Sequence, residues 1–298
     1  RRKQGPGANR GPAQTGARRK QGPGRKGPMK LVWPFSSAGG FHNLTVFFVF
    51  AGLLAAPITA QAGTRYSANV VGYSRVSVPP SNKQTLVGMS FRPFDATLAG
   101  VLGTNQLRAS GSSNEADQVV LWDIPSQQYR PYALKTNDYQ FHSCLNDTEW
   151  NGAATNPPLT NGIGFWLRSP TNATTSLKVL LMGKAVDGQT QTVNIVSGLQ
   201  LMCYTFSSPI GIQQTDFAND GATTNSSYTK ADQISFWTNY VTYQPYGLKT
   251  NFLWYPCKNA SQWLGPPASN TLNIGQGFWY QGRKAFTWTE TNRYLGNL

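Results

Sequence analysis

One stretch of this 298-residue chain is written twice, and the duplication constrains the fold more than any other feature. Ala116-Asp117-Gln118-Val119-Val120-Leu121-Trp122 returns as Ala231-Asp232-Gln233-Ile234-Ser235-Phe236-Trp237. Tyr129-Arg130-Pro131-Tyr132-Ala133-Leu134-Lys135-Thr136-Asn137 returns as Tyr243-Gln244-Pro245-Tyr246-Gly247-Leu248-Lys249-Thr250-Asn251, and Gly162-Ile163-Gly164-Phe165-Trp166 as Gly275-Gln276-Gly277-Phe278-Trp279. The offset drifts from 115 through 114 to 113, as two copies of one module do after single-residue insertions or deletions.

The formal charge of +14 suggests nucleic acid until its distribution is read. Residues 1–62 hold ten Lys or Arg and no acid, which leaves sixteen basic and twelve acidic residues, a net of +4, in 63–298. Residues 1–28 are a Gly/Pro/Arg tract with no aliphatic side chain larger than Ala, so they cannot bury enough apolar area to offset chain entropy and are expected to be disordered. The expected natural start is Met29; a basic arm for an anionic surface is the rival reading. From Met29 to Ala62 the pattern is a signal peptide: Lys30, an apolar run Leu44–Ala56, Pro57 and the small-x-small signal Ala60-Gln61-Ala62. The run is shorter than the ~20 residues that span a bilayer. Cleavage near Ala62, a secreted or cell-envelope location and no retained anchor are therefore expected. Nucleic acid is not the expected partner; an envelope or extracellular glycan or protein is.

The remaining chain is poor in charge and rich in Gly, Asn, Thr, Ser and aromatics, the composition of an extracellular all-β protein. Each copy reads as an opening strand (Thr85–Phe91; Leu201–Phe206), a polar stretch, and two strands close enough in sequence to pair antiparallel. A Trp-bearing loop, a Gly-x-Gly-Phe-Trp strand and a closing strand follow. Two tandem antiparallel β-sandwich or small-barrel modules, residues 63–180 and 181–298, are expected; one sandwich with pseudo-two-fold symmetry is the alternative. Val70-Val71-Gly72-Tyr73 also matches Leu181-Met182-Gly183-Lys184, marking a shared seam strand.

These motifs, taken together, resemble a family of secreted two-repeat β-proteins of Verrucomicrobia-like bacteria, often present in many paralogous copies. The resemblance covers nearly all of 66–298. It implies secretion and duplication and adds no catalytic residue. In that family the seam glycine is usually followed by an acidic residue, whereas here Lys184 follows Gly183.

Chemistry needs titratable groups brought together, and few candidates repeat. His142 is solitary after residue 62, and Asp147 and Glu149, the nearest carboxylate pair, are replaced by Ala260 and Gln262 at the matching positions of the second copy. No motif for a metal, nucleotide or other cofactor is present, so the expectation is a non-catalytic protein with a structural or interaction role. Asp117 and Asp232 do repeat and read as turn caps rather than calcium ligands. The repeated Trp residues read as core. Carbohydrate binding through exposed aromatics is the alternative function. Pro131 and Pro245 mark an edge or bulge position, and because an edge would expose its neighbours, Tyr129, Tyr132 and Lys135, with Tyr243, Tyr246 and Lys249, are the expected ligand-facing residues. Cys203 and Cys257 lie in one copy and form the natural disulfide; free buried thiols are the equal alternative.

Overall fold

The computed structural model describes residues 70–145, 149–259 and 262–294. The basic segment, the signal peptide with its cleavage site, and Asp147 lie outside the described residues. Among those described, no helix is long and apolar enough to cross a membrane.

The first copy consists of β1 (Val71–Val78), β2 (Gln84–Gly88), a five-residue helix α1 (Leu98–Leu102), β3 (Gln118–Asp123), β4 (Gln128–Leu134), β5 (Phe141–Cys144), β6 (Trp150–Asn151), β7 (Gly164–Arg168) and β8 (Leu177–Lys184). The second repeats the plan with β9 (Thr190–Ile195), β10 (Gly198–Cys203), β11 (Ile210–Gly211), β12 (Gln233–Thr238), β13 (Thr242–Leu248), β14 (Trp254–Asn259), β15 (Gln262–Trp263), β16 (Thr271–Leu272), β17 (Gly277–Gly282) and β18 (Phe286–Thr291). Two six-stranded sheets result, ordered β2-β7-β3-β4-β5-β6 and β10-β17-β12-β13-β14-β15, all pairs antiparallel. A two-stranded ribbon accompanies each sheet, β1–β8 in the first copy and β9–β18 in the second. The expected all-β duplication is what the chain adopts.

Alternation places the cores. Leu177, Val179 and Leu181 of β8 point inward with Val76 and Val78 of β1, against Val87, Val119, Leu134, Phe165 and Leu167 of the sheet. The second core is more aromatic: Tyr204, Phe217, Trp254, Tyr280 and Trp288 are buried, with Phe217 stacked on Trp288 at 4.0 Å. Burying an aromatic side chain of this size contributes on the order of 4–6 kcal/mol of transfer free energy.

The matching segments Val70–Tyr73 and Leu181–Lys184 pair with each other, Gly72 opposite Gly183. Both glycines make room for Phe91: a β-carbon on Gly72 would fall 2.2 Å from its ring, and one on Gly183 2.8 Å from its Cβ. Strand β8 thus runs through the expected 180/181 boundary and belongs to the first copy, and β9 opens the second in the role of β1.

The prolines also need a correction. β4 and β13 are interior strands, not edges. Pro131 pairs on one side with Val120, and on the other side the ladder to β5 begins only at Tyr132; Pro245 has the same place before Tyr246. The missing N–H therefore falls where a rung has ended.

Candidate functional site at the seam between the copies

The outer faces of the two sheets pack against each other. Leu86, Val120 and Trp166 of the first copy meet Leu201 and Trp279 of the second, with Trp122, Leu199 and Trp237 packed around them. The contacts are reciprocal. Trp122 meets Trp279 edge-on at 4.8 Å, and Trp237 meets Trp166 edge-on at 5.1 Å. The Trp122 indole N–H donates to the Leu199 carbonyl at 2.7 Å, and the Trp237 indole N–H to the carbonyl of Gln84, the residue matching Leu199, at 3.3 Å. Residue i touching j while the partner of i touches the partner of j is the mark of a two-fold relation.

The repeated Gly-x-Gly motif belongs to the same seam. Gly162 and Gly275 have left-handed backbones, with φ of 88° and 74°. Their carbonyls accept from the opposite copy, Cys203 N–H to Gly162 O and Gly88 N–H to Gly275 O, each at 2.9 Å. The second glycines let the chains touch: a β-carbon on Gly164 would fall 2.7 Å from Met202 O, and one on Gly277 2.5 Å from Val87 O. The expected close approach of the motif is a contact between copies.

The repeated Trp residues therefore correct both readings made of them. Trp122, Trp166, Trp237 and Trp279 are neither the core of one copy nor an open platform, because each lies against the other copy. Trp150 and Trp263 lie elsewhere, their indoles donating to Gly111 O at 2.9 Å and Ser226 O at 2.7 Å.

The six expected ligand-facing residues do not converge. Tyr129 and Tyr243 meet at the rim of the seam: Tyr129 is 50% exposed, packs edge-on against Trp122 at 5.0 Å and against Trp279 at 6.1 Å, with Tyr243 as its electrostatic neighbour. Tyr243 accepts from the Trp279 indole at 3.0 Å. Partial burial, then the neighbouring Tyr243, pushes the Tyr129 phenol up to about 12. Tyr246 is 7% exposed in the second core and Tyr132 packs on the first, so this pair is structural rather than exposed. The lysines sit over the remaining indoles, Lys135 Nζ 5.9 Å from Trp150 and Lys249 Nζ 5.8 Å from Trp263, cation–π contacts typically worth ~0.5–1 kcal/mol at exposed sites.

The Cys203–Cys257 disulfide is absent; Cys144, Cys203 and Cys257 are free thiols. β10 and β14 stand four strand positions apart. At about 4.8 Å per strand that is roughly 19 Å, beyond the ~7 Å limit for bridged Cα atoms. Burial pushes the Cys203 thiol up to about 12 and the Cys144 thiol up to about 11.

The repeated carboxylates fasten loops. Asp117 Oδ2 accepts from the Arg108 N–H at 2.7 Å, while Asp232 accepts from the Arg283 N–H at 2.7 Å and the Tyr280 hydroxyl at 2.8 Å. Desolvation by burial raises both pKa values, against hydrogen bonds that lower them. The adjoining glutamines repeat one bond, Gln118 Nε2 to Ser113 O and Gln233 Nε2 to Tyr228 O. His142 is buried between the Asp138 carboxylate at 2.9 Å and the Gly152 carbonyl at 3.3 Å. Among the described residues, no group of three or more His, Cys, Asp or Glu side chains is placed to hold a metal ion.

Beside Tyr129 a cavity of about 330 Å³ opens on the first sheet, walled by Trp166, Pro131 and Val120 and by Gln84, Gln118 and Arg168. Arg168 Nη2 donates to Gln118 Oε1, and among the described residues Arg168 forms no ion pair. A fixed guanidinium and amides beside an aromatic wall can orient a polar ligand. Arg168 and Gln84 do not repeat, since the second copy has Gln281 and Leu199 at the matching positions, and so escaped sequence reasoning; Gln118 does repeat, as Gln233, but nothing in its pattern set it beside a cavity. No family model, curated protein or solved structure matches this chain.

Proposed function

We propose that this chain is a non-catalytic β-repeat protein, exported to the cell surface or beyond, with a structural or interaction role. The reciprocal seam is the observation that carries the reading. The residues kept in both copies join two sheets into one body: Trp122 with Trp279, Trp237 with Trp166, and the glycines at 162, 164, 275 and 277. Of the titratable side chains that first suggested chemistry, His142 makes a buried bond to Asp138 and the repeated aspartates tie loops. Export rests on the sequence from Met29 to Ala62 and on the resemblance to secreted two-repeat proteins.

The test is to incubate the purified full chain with polysaccharide and peptide substrates and assay for released product. No turnover on any substrate is the expected result. Turnover that is lost in His142→Ala, while the thermal midpoint stays within reach of the native protein, would overturn the reading.

A further inference from the structure

The two-fold relation breaks at the hairpin turns. The β3–β4 hairpin turns through Ile124–Gln127, and Gln127, held at φ 52°, reaches across the seam to Leu199. Its Oε1 accepts the Leu199 N–H at 2.9 Å and its Nε2 donates to the Leu199 carbonyl at 3.1 Å, a side-chain imitation of one ladder rung. The β12–β13 hairpin is one residue shorter, Asn239-Tyr240-Val241, with Asn239 and Tyr240 both left-handed at φ 52° and 58°. It carries no glutamine to lay over Gln84. Where Gln127 fills the seam on one side, a cleft of about 460 Å³ opens on the other, between this turn and Ser74–Ser77 of β1. That volume falls in the range of roughly 300–1,000 Å³ usual for small-molecule sites, which favour interfaces of this kind.

We propose that this cleft binds a neutral saccharide. Trp237 and Tyr240 give it an aromatic side, and Ser74, Ser77, Asn239 and Gln276 a polar one. The Gln276 Oε1 is fixed by the Asn273 N–H and side-chain amide, at 3.3 and 3.0 Å, leaving its NH₂ to donate. Neither serine hydroxyl nor the Asn239 amide has a partner among the described residues. An apolar ligand would leave these groups unpaired, at about 1–3 kcal/mol for each one desolvated. A phosphate or carboxylate would find a single cation, Arg75. Sugar hydroxyls, which both donate and accept, match hydroxyl and amide groups, and the C–H face of a pyranose suits an aromatic side chain.

This names the ligand of the interaction role proposed for the chain and rests on that role. The test titrates the full chain calorimetrically with soluble β-1,4-linked glucose, xylose, mannose and N-acetylglucosamine hexamers. Two variants are compared: Asn239→Ala, and a graft of the Ile124–Gln127 turn in place of Asn239–Val241. Binding of at least one hexamer is expected, weakened tenfold or more by the graft and severalfold by Asn239→Ala, with the thermal midpoint of Asn239→Ala unchanged. Binding left intact by both variants overturns the cleft assignment but leaves an interaction role standing. No binding of any hexamer to the native chain at millimolar concentration overturns the saccharide proposal. Cleavage of a hexamer overturns the non-catalytic role itself.

Discussion

Gly88 and Cys203 occupy equivalent places in the two copies and face each other across the seam: a β-carbon on Gly88 would fall 2.1 Å from that of Cys203. Close to a two-fold axis, a residue meets its own counterpart, and here there is room for one side chain. Gly88→Ala should therefore destabilise by about 2–3 kcal/mol, in the range of overpacked cores. Adding Cys203→Gly should recover part of the loss, since the new methyl would still lie 2.9 Å from the Gln276 carbonyl oxygen. Chemical denaturation of the single and double variants measures both, and a double variant no more stable than Gly88→Ala would contradict the packing.

Glu290 is the one charged side chain buried at a core position of the closing strands, where the first copy has Leu181. Its Oε2 accepts from the Asp216 N–H and the Trp288 indole, each at 3.0 Å, with Arg293 Nε 3.8 Å from Oε1 and Asp216 and Tyr204 nearby. Desolvation outweighs these bonds and raises its pKa to about 7. The folded state then holds a proton that the unfolded chain releases near the ordinary glutamate value. The stability this adds is present in full below about 4.5 and is lost as pH rises through about 7. Glu290→Gln should gain on the native protein, by roughly 3 kcal/mol at most, between pH 5 and 8. Thermal midpoints of both proteins across that interval check the slope.

All three cysteines should titrate as thiols when the chain is denatured without reductant. In the native state Cys203, wholly buried at the seam, should react slowest. Ellman titration reads both, and a count of one thiol would restore a disulfide.

Trp122→Ala should cost about 3 kcal/mol despite its partial exposure, because it removes packing and the bond to Leu199. A double-mutant cycle with Trp279→Ala should give a coupling of about 0.5–1.5 kcal/mol. Additive losses would place the two rings out of contact.

The duplication was legible because strand patterns and aromatics survive in both copies, and even the drift of the offset has a physical address. The step from 115 to 114 is the shortened β12–β13 turn, and the step to 113 falls between β4 and β5, where Asp138–Gln140 is matched by Phe252-Leu253. The destination of the aromatics was not legible. Alternation along Val119-Val120-Leu121-Trp122 shows that both sheet faces are apolar but does not say what covers the second. Only the fold shows that the cover is the other copy. α1 escaped because five residues carry too little periodicity, although Thr97 caps it and Gly103 ends it. Pro131 misled because proline marks a missing rung, which an interior strand supplies where its neighbour stops.

Packed through the repeated aromatics and glycines, the two copies should unfold as one cooperative body, which scanning calorimetry of the full chain measures. A single transition with matching calorimetric and van't Hoff enthalpies, shifted as a whole to lower temperature by Trp122→Ala, is the expected result. Two separate transitions, with Trp122→Ala moving only one, would contradict it.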